Sequence, residues 1–426
     1  MKARKYFEQH RLSVIVGGVI ALILVVGLAI IIPLGLRSGP PATTQTPTPA
    51  TGVATPTASP VTTPTPGASP GENTPTPEPG VILGSQACPA GIGNPKHWDA
   101  IIGTDNVESF VQSVSCANIM GDPSLQAMVL VRHTNAGATL DVYVFKNISS
   151  AKPARIFLLQ NLAQGDARIS GYNTVMTAEV DPNSSMNASK PTAAWTKDLF
   201  REFQWDGKAG SFVQVAFPGM YPDLTRWQAE VAQNKTLLQQ DTWKLDAVKT
   251  AQHFVAQFLP SAPTIPPIQL QLVSGGGARD LTAQVNAAFP IDGTKLGPVT
   301  KIMLKRLEGN VNGVWEVTAI QADWMYISSP KSGPATHISN PVTVTGYGSQ
   351  FESQVGTVYI LDHLYRSIGR AYAMGSAGFG SGPFTVAVPY VSSYQGGVQE
   401  GIVELVHTGG ASFDSGVVMV KVLVNP

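Results

Sequence analysis

The chain has 426 residues and no net charge, since 28 Lys and Arg balance 28 Asp and Glu. The first 37 residues hold five of the basic residues and one of the acidic residues, which leaves 23 basic against 27 acidic residues and a net charge of −4 in the remainder. This acidic remainder argues against nucleic acid as a partner, because binding to phosphates needs a basic surface. The remainder is also long enough for two or three folded domains.

The N-terminus predicts a membrane anchor. Residues 13–36 are apolar and carry no charge, and a helix of about 20 such residues crosses a bilayer. Four basic residues lie in the stub 1–12 and only Arg37 closely follows the apolar segment, so the stub is expected in the cytoplasm and the C-terminal part outside the cell. A cleaved signal peptide is the alternative, but the segment exceeds a signal-peptide core and lacks a small-residue cleavage site. We therefore expect an uncleaved, single-pass signal anchor.

Residues 37–85 are rich in Thr and Pro, with repeats such as Thr46-Pro47-Thr48-Pro49. Such a composition cannot bury a core, so it predicts a disordered stalk. In the polyproline II conformation, at about 3.1 Å per residue, the stalk would reach roughly 140 Å. A spacer through a cell wall and an ordinary linker are both compatible with this sequence.

Cys88 and Cys116 are the only cysteines. Both fall on the side expected to be extracytoplasmic and oxidising, which favours a structural disulfide. Such a bond would close a loop of about 28 residues and contribute on the order of 3 kcal/mol. The sequence has no C-x-x-C motif and no histidine-rich set beside the cysteines, so a redox or metal site is disfavoured.

Residues 86–222 predict a β-rich domain. Short apolar or alternating runs are separated there by Gly, Asn, Asp and Pro, a pattern typical of strands and turns. The predicted strands are Ala127–Val131, Leu140–Phe145, Arg155–Leu159, Thr174–Val180, Leu199–Trp205 and Phe212–Ala216.

Residues 223–330 predict an α+β domain. Apolar residues at helical spacing indicate amphipathic helices over 223–239, through Trp227, Val231 and Leu238, and over 243–259, through Val248, Ala251, Val255 and Phe258. Four strands follow: Ile268–Val273, Leu281–Ala287, Val299–Leu307 and Val314–Ala322. Asn312-Gly313 predicts a hairpin between the last two. Helices followed by an antiparallel sheet that ends in Gly313–Val317 resemble the NTF2-like α+β cone.

Residues 333–426 predict a small antiparallel β-sandwich, because short alternating strands are separated by turn residues. The segments that carry a family resemblance here are Pro341–Gly346, Phe351-Glu352, Val355–Leu361, Gly382-Pro383-Phe384, Pro389-Tyr390, Val403–Leu405 and Val417–Val424. In that order they resemble the immunoglobulin-like domain of bacterial spore germination proteins (Gmad2). The resemblance implies an immunoglobulin-like fold and a bacterial envelope or sporulation context, without a ligand.

No catalytic, cofactor-binding or metal-binding set emerges from the sequence, which contains no H-E-x-x-H, P-loop or nucleophile-elbow motif. The glycine-rich run Gly375–Gly382 is expected to be a flexible hairpin loop, because a strand follows it where a phosphate loop would need a helix N-terminus. Within that run, Phe379 is a candidate contact residue. Asp181 opens a segment that begins like a calcium loop, but Met186 and Thr192 replace its required Gly and Glu.

The sequence thus predicts a multidomain, mainly β envelope protein that binds or scaffolds and is not an enzyme. Its expected partners are the membrane through the anchor and, outside the cell, the cell wall or another envelope protein. The alternative is an enzyme or small-ligand binder that uses a pocket in the α+β domain near His253 or Asp323. A sensor is a third possibility, but a stub of about 12 residues cannot hold a signalling domain and would need a partner.

Overall fold

The computed structural model describes residues 84–134, 137–259, 267–292, 295–407 and 415–426. All of them belong to one compact unit, Thr74–Pro426. The predicted cytoplasmic stub, membrane helix and nearly all of the stalk lie outside the described residues. None of the helices inside the described ranges is both long enough and apolar enough to cross a membrane. Strands account for 47% of the structure and helices for 13%, which confirms the prediction of a mainly β fold with several sheets.

The first part of the fold contains one helix and two four-stranded sheets. Helix α1 spans Pro95–Ile102. The first sheet contains β1 (Ser109–Ala117), β2 (Gln126–His133), β3 (Leu140–Lys146) and β4 (Ala154–Leu162). The second contains β5 (Asp166–Ile169), β6 (Val175–Glu179), β7 (Leu199–Asp206) and β8 (Ser211–Val215). Each sheet is antiparallel with its strands in chain order. Helix α1 and strands β1 and β5 were not predicted from the sequence pattern.

The first sheet is covered on both faces. One face shares an apolar core with the second sheet, where Val142 and Leu130 pack with Phe203. The other face packs against α1 through the fully buried Trp98, whose ring lies 4.8 Å from that of Phe145. Trp98 also donates a 2.8 Å hydrogen bond from its indole nitrogen to the carbonyl oxygen of Ile92, so its polar atom is satisfied in the core.

The middle part contains two helices, an antiparallel sheet of four strands and a separate two-stranded hairpin. The helices are α2 (Arg226–Leu237) and α3 (Ala247–Phe258). The strands are β9 (Gln269–Gly275), β10 (Thr282–Ala288), β11 (Pro290–Asp292), β12 (Lys295–Leu296), β13 (Thr300–Arg306) and β14 (Trp315–Ala322). The sheet has the order β14-β13-β10-β9, while β11 and β12 form a separate small hairpin. The hairpin predicted at Asn312-Gly313 is confirmed, because β13 pairs with β14 in antiparallel orientation.

The two helices differ in what they bury. The apolar face of α3, including Ala251 and Phe254, packs on the sheet as predicted and fills the space beneath it. The apolar face predicted for α2 is wrong, since Leu238 is 71% exposed just beyond its end. The buried side of α2 is instead largely polar and includes Glu230 and Gln233. The buried side of α2 is polar because, in the tertiary structure, it faces hydrogen-bonding groups on neighbouring segments and not an apolar sheet.

The last part contains eight strands in two layers. They are β15 (Tyr326–Ser329), β16 (His337–Ile338), β17 (Val342–Phe351), β18 (Gln354–Leu361), β19 (Ser367–Met374), β20 (Phe379–Val388), β21 (Gln399–His407) and β22 (Gly416–Val424). In one layer β17 lies between β15 and β20, and in the other β18 lies between β19 and β21, with β22 beyond β21. Their inward side chains, such as Val344, Val358 and Leu405, form one apolar core.

The middle and last parts share a sheet. Strand β22 pairs with β14 at Met419 and Ile320, so β9 to β22 form one continuous twelve-stranded sheet apart from the β11–β12 hairpin. Residues 216–224, which lead into α2, are also tied to the last part. Phe217 donates a 2.9 Å hydrogen bond from its backbone nitrogen to Glu400, and Tyr365 donates one of 2.9 Å to the carbonyl oxygen of Met220. These bonds connect the segment between the first and middle parts to the last part.

Candidate functional site

Phe379, the candidate contact residue, is the first residue of β20. Its side chain is 68% exposed and lies edge-to-face against Phe351 at a ring distance of 5.6 Å. The glycine-rich loop is therefore shorter than predicted, because Phe379 already pairs with Phe351 in the ladder between β20 and β17. The backbone of the remaining loop is fixed by Gln350, whose side-chain oxygen accepts a 2.9 Å hydrogen bond from the nitrogen of Ala377.

Phe379 belongs to an exposed sheet face, here named the neutral face. Strands β15, β17 and β20 alternate between inward and outward side chains. The outward ones are Tyr326, Ser328, Thr343, Thr345, Tyr347, Ser349, Phe351, Phe379, Ser381, Pro383, Thr385 and Ala387. None of these twelve carries a charge. An exposed face of aromatic and hydroxyl side chains without a charge is unusual on a protein surface, where Lys, Glu, Arg and Asp are the residues most often exposed.

The geometry of the neutral face is held by its own contacts. The rings of Tyr326 and Tyr347 stack at 5.8 Å with an interplanar angle of 11°, and the hydroxyl groups of Ser328 and Thr345 lie 2.9 Å apart. Beneath Tyr347 the strands approach closely at Gly346, where an added Cβ would lie 2.2 Å from the carbonyl oxygen of Tyr326. The face thus carries two pairs of neighbouring rings, Tyr326 with Tyr347 and Phe351 with Phe379.

Cys88 and Cys116 form a disulfide in the structure, with Cα atoms 5.2 Å apart. Cys116 is fully buried in β1, and the bond ties the segment before α1 to the first sheet. No free cysteine remains among the described residues. The bond is remote in sequence from every residue of the neutral face.

The two residues named for an enzymatic alternative are both exposed and lie on different segments of the chain. His253 is exposed on α3 and stacks on Trp243 at a ring distance of 4.0 Å. Asp323 is exposed and pairs with Lys301 at 2.7 Å. Asp181, the start of the calcium-like segment, is buried and caps its own turn through the nitrogen of Asn183. Within the described ranges, no three His, Cys, Asp or Glu side chains are grouped so that they could hold a metal ion.

A cavity with several charged side chains in its lining lies elsewhere, between the second sheet, α2 and the β13–β14 hairpin. It has a volume of about 180 Å³ and is here named the junction cavity. It is lined by Tyr172, Phe217, Pro218, Arg226, Lys305, Arg306, Leu307, Glu308, Glu316 and Thr318. These residues come from both the first and the middle part of the chain, so the cavity exists only in the assembled fold.

Arg226 is the central cation of the junction cavity. It donates hydrogen bonds of 2.7 Å to Glu202 and 2.5 Å to Glu308, and its guanidinium lies over the rings of Tyr172 and Phe217 at 4.5 and 5.0 Å. Burial by itself would lower the pKa of Arg226, but the two carboxylates raise it above its usual range. Arg226 is therefore a fixed positive charge whose position is set by two parts of the chain.

Two carboxyl groups at the junction cavity lack full hydrogen bonding. Glu308 Oε2 and Glu316 Oε1 are buried and have no hydrogen-bond partner. Burial raises the pKa of Glu308 to about 7 against the opposing effect of Arg226. Burial and the nearby Asp223 raise the pKa of Glu316 well above its usual range. Glu308 also has a left-handed backbone, with φ of 56°, a conformation that costs energy in a non-glycine residue and is frequent at functional sites.

Neither the neutral face nor the junction cavity was predicted from the sequence. The alternation Thr343, Thr345, Tyr347 in β17 was a signal for the face, because every second residue of a strand lies on one side. No local signal marked the cavity: Arg226 and Glu308 are separated by 82 residues.

Comparisons with family models, curated proteins and solved structures give no match to this chain. The function proposed for it therefore rests on its own residues.

Proposed function

We propose that this chain is a membrane-anchored, extracytoplasmic envelope protein that binds or scaffolds at the cell surface. In this proposal residues 1–12 are cytoplasmic, residues 13–36 cross the membrane once, and residues 37–85 form a stalk that carries three modules outward. The middle module belongs to the NTF2-like α+β type and the last to the immunoglobulin-like type of bacterial spore germination proteins (Gmad2). That resemblance supports a sporulation or germination context, and the cell wall or another envelope protein is the partner.

The neutral face is the observation that carries the binding role. Tyr326, Phe351 and Phe379 are exposed and Tyr347 is half-buried on one side of a three-stranded layer. When a partner covers exposed aromatic rings, apolar surface is removed from water, which is favourable. Contiguous patches of exposed apolar residues therefore mark interaction sites. The absence of charge favours a partner surface that is itself uncharged, since burying an unpaired charge is costly.

The connection between the modules supports a scaffolding role. A continuous sheet from β9 to β22 and the bonds to residues 216–224 give the neutral face a rigid support. The disulfide between Cys88 and Cys116 fits an oxidising, extracytoplasmic setting. A rigid body on a long spacer suits contact with a partner away from the membrane.

Sedimentation with purified cell-wall sacculi tests the binding role. Residues 74–426 are mixed with sacculi of the source organism, and separately with its solubilised membrane proteins. We expect retention by one of the two, and we expect the double variant Tyr347→Ala and Phe379→Ala to lose it. Tyr372→Ala is the matched control, because Tyr372 is 65% exposed on β19 in the other layer. Retention by neither, or retention that the double variant leaves unchanged, would contradict the proposal.

Fractionation of cells tests the anchor. The full chain should sediment with membranes and should resist extraction by high salt, because an apolar helix is held by the hydrocarbon and not by charge. A variant that lacks residues 13–36 should appear in the soluble fraction. If the full chain is soluble, the anchored topology is wrong, whatever the binding assay gives.

A further inference from the structure

The outward side chains of the neutral face are arranged in rows across the strands. In one row, Phe351 of β17 lies opposite Phe379 of β20. In another, Tyr347 of β17 lies between Tyr326 of β15 and Pro383 of β20. These two rows are here named the aromatic rows. They lie four residues apart along β17, which corresponds to about 14 Å at 3.4 Å per residue.

Rows of hydroxyl groups alternate with the aromatic rows. Ser349 lies opposite Ser381 between the two aromatic rows, and Thr345 lies opposite Thr385 on the far side of the second one. The hydroxyl group of Thr345 also contacts that of Ser328 at 2.9 Å. The hydroxyl groups of Ser349, Ser381 and Thr385 form no hydrogen bond with another described residue. They are therefore free to bond with a partner that covers the face.

This alternation disfavours two kinds of partner. An apolar protein surface would cover the rings but would bury the hydroxyl groups without hydrogen bonds, which costs free energy. An anionic polymer would be attracted by Lys or Arg side chains, and none of the twelve outward residues carries a charge.

A sugar ring matches both kinds of row. Its faces carry C–H groups with a small positive charge, which suit the negative face of an aromatic ring. Its rim carries hydroxyl groups, which donate and accept hydrogen bonds as those of Ser and Thr do. An uncharged sugar polymer would thus use the aromatic rows and the hydroxyl rows together.

We propose that the neutral face binds an uncharged polysaccharide strand, and that this strand is the sugar backbone of the cell wall. The proposal rests on the proposed function and narrows its partner to one chemical class. A strand that lies along β17 places sugar faces on the aromatic rows and sugar hydroxyl groups at the rows between them. From Thr343 to Phe351 the face extends over eight residue steps, or about 27 Å at 3.4 Å per residue, so several sugar rings fit in line.

The rings of the face are held in place before a partner arrives. Tyr326 and Tyr347 stack on each other at 5.8 Å, and Phe351 and Phe379 meet edge to face at 5.6 Å. Side chains that are already ordered lose less conformational entropy on binding, which favours affinity for a partner with few strong contacts.

The test is isothermal titration calorimetry of the full-length chain in a detergent without a sugar headgroup. The probe is the uncharged hexamer of N-acetylglucosamine, and the second probe is the dimer, which is too short to reach both aromatic rows. We expect the hexamer to bind at least about tenfold more tightly than the dimer, because one molecule then engages both rows. The hexamer should also release the chain from purified sacculi.

Two single variants test the aromatic rows. Tyr347→Ala and Phe379→Ala each remove one ring, and each should weaken hexamer binding about tenfold, as aromatic residues at the centre of an interface do. Tyr372→Ala is the matched control, because Tyr372 is 65% exposed on β19 in the other layer. Circular dichroism checks that the variants remain folded.

A double variant tests the hydroxyl rows. Ser349→Ala with Ser381→Ala removes the row between the aromatic rows and should weaken the hexamer about fivefold, whereas an apolar partner would bind as well or better. Ser274→Ala is the matched control, since Ser274 is exposed on β9, away from the neutral face. A double variant that binds the hexamer as tightly as the wild type would overturn the role of the hydroxyl rows.

The remaining outcomes separate this proposal from the proposed function. If sacculi or a membrane protein retain the chain through the neutral face but the hexamer does not bind, the polysaccharide is overturned while the binding role stands. Hexamer binding that Tyr347→Ala and Phe379→Ala leave unchanged would overturn the location. Hexamer binding through the face without retention by sacculi would overturn the cell wall as the source of the strand.

Discussion

Lys421 in β22 is expected to hold the linker before α2 in place, and its replacement should destabilise the whole folded unit. Its Nζ lies 2.9 Å from Glu400 Oε2 and donates a 3.0 Å hydrogen bond to the carbonyl oxygen of Gly219 and another to that of Leu224. The side chains of Lys421 and Glu400 are 2% and 0% exposed. The perturbation is Lys421→Met, which keeps the apolar stem and removes the charge.

The size of the expected loss in stability follows from the groups that Lys421→Met leaves without a partner. Burial raises the pKa of Glu400 to about 7 and lowers that of Lys421, so for both groups desolvation outweighs the attraction between them. Removing one partner of such a pair leaves a buried charge without compensation and two carbonyl oxygens without a donor. We therefore expect Lys421→Met to lower the free energy of unfolding by about 3–5 kcal/mol. The double variant Lys421→Met and Glu400→Gln should regain a large part, because the neutral amide still accepts from the nitrogen of Phe217.

The assay is urea unfolding of residues 74–426 followed by tryptophan fluorescence and circular dichroism. The control is Lys301→Met, which breaks an exposed ion pair with Asp323 and should cost less than about 1 kcal/mol. A loss below about 1 kcal/mol for Lys421→Met would refute the reasoning. So would a double variant no more stable than the single one, since the unpaired charge would then not be the cause.

Three further predictions concern stability. Burial raises the pKa of Glu404 to about 7. The protonated carboxyl therefore stabilises the folded state fully below the pKa of the unfolded chain, and this contribution to the free energy of unfolding is lost as the pH rises through 7. From pH 4.5 to pH 8, the free energy of unfolding of Glu404→Gln, measured with urea, should therefore rise by on the order of 3 kcal/mol relative to that of the wild type. Parallel pH profiles of the two proteins would show the prediction to be wrong. Replacing both Cys88 and Cys116 by Ser should lower the free energy of unfolding by about 3 kcal/mol, as expected for the loop they close, and an unchanged urea midpoint would contradict this. Thr225→Ala removes the capping box formed with Gln228 at the start of α2; a loss of about 1 kcal/mol is expected, and thermal unfolding indistinguishable from wild type would argue against it.

The sequence determined those elements whose pattern is local. Alternating apolar residues and turn residues were sufficient for strands such as β3 and β7, and helical spacing was sufficient for α3, because in each case one face packs on an apolar core. Asn312-Gly313 similarly determined the hairpin of β13 and β14. The sequence missed β1, where Ser109–Ala117 carries three serines that weaken the alternation.

Tertiary structure decided whatever depends on groups distant in the chain. Helix α2 has a polar buried side because Gln233 accepts a 2.7 Å hydrogen bond from the nitrogen of Val314, 81 residues away. The junction cavity exists because Arg226 joins Glu202 of the first part to Glu308 of the middle part. A local pattern cannot show which charges meet, since burial of a charge is favourable only beside a partner that the fold supplies.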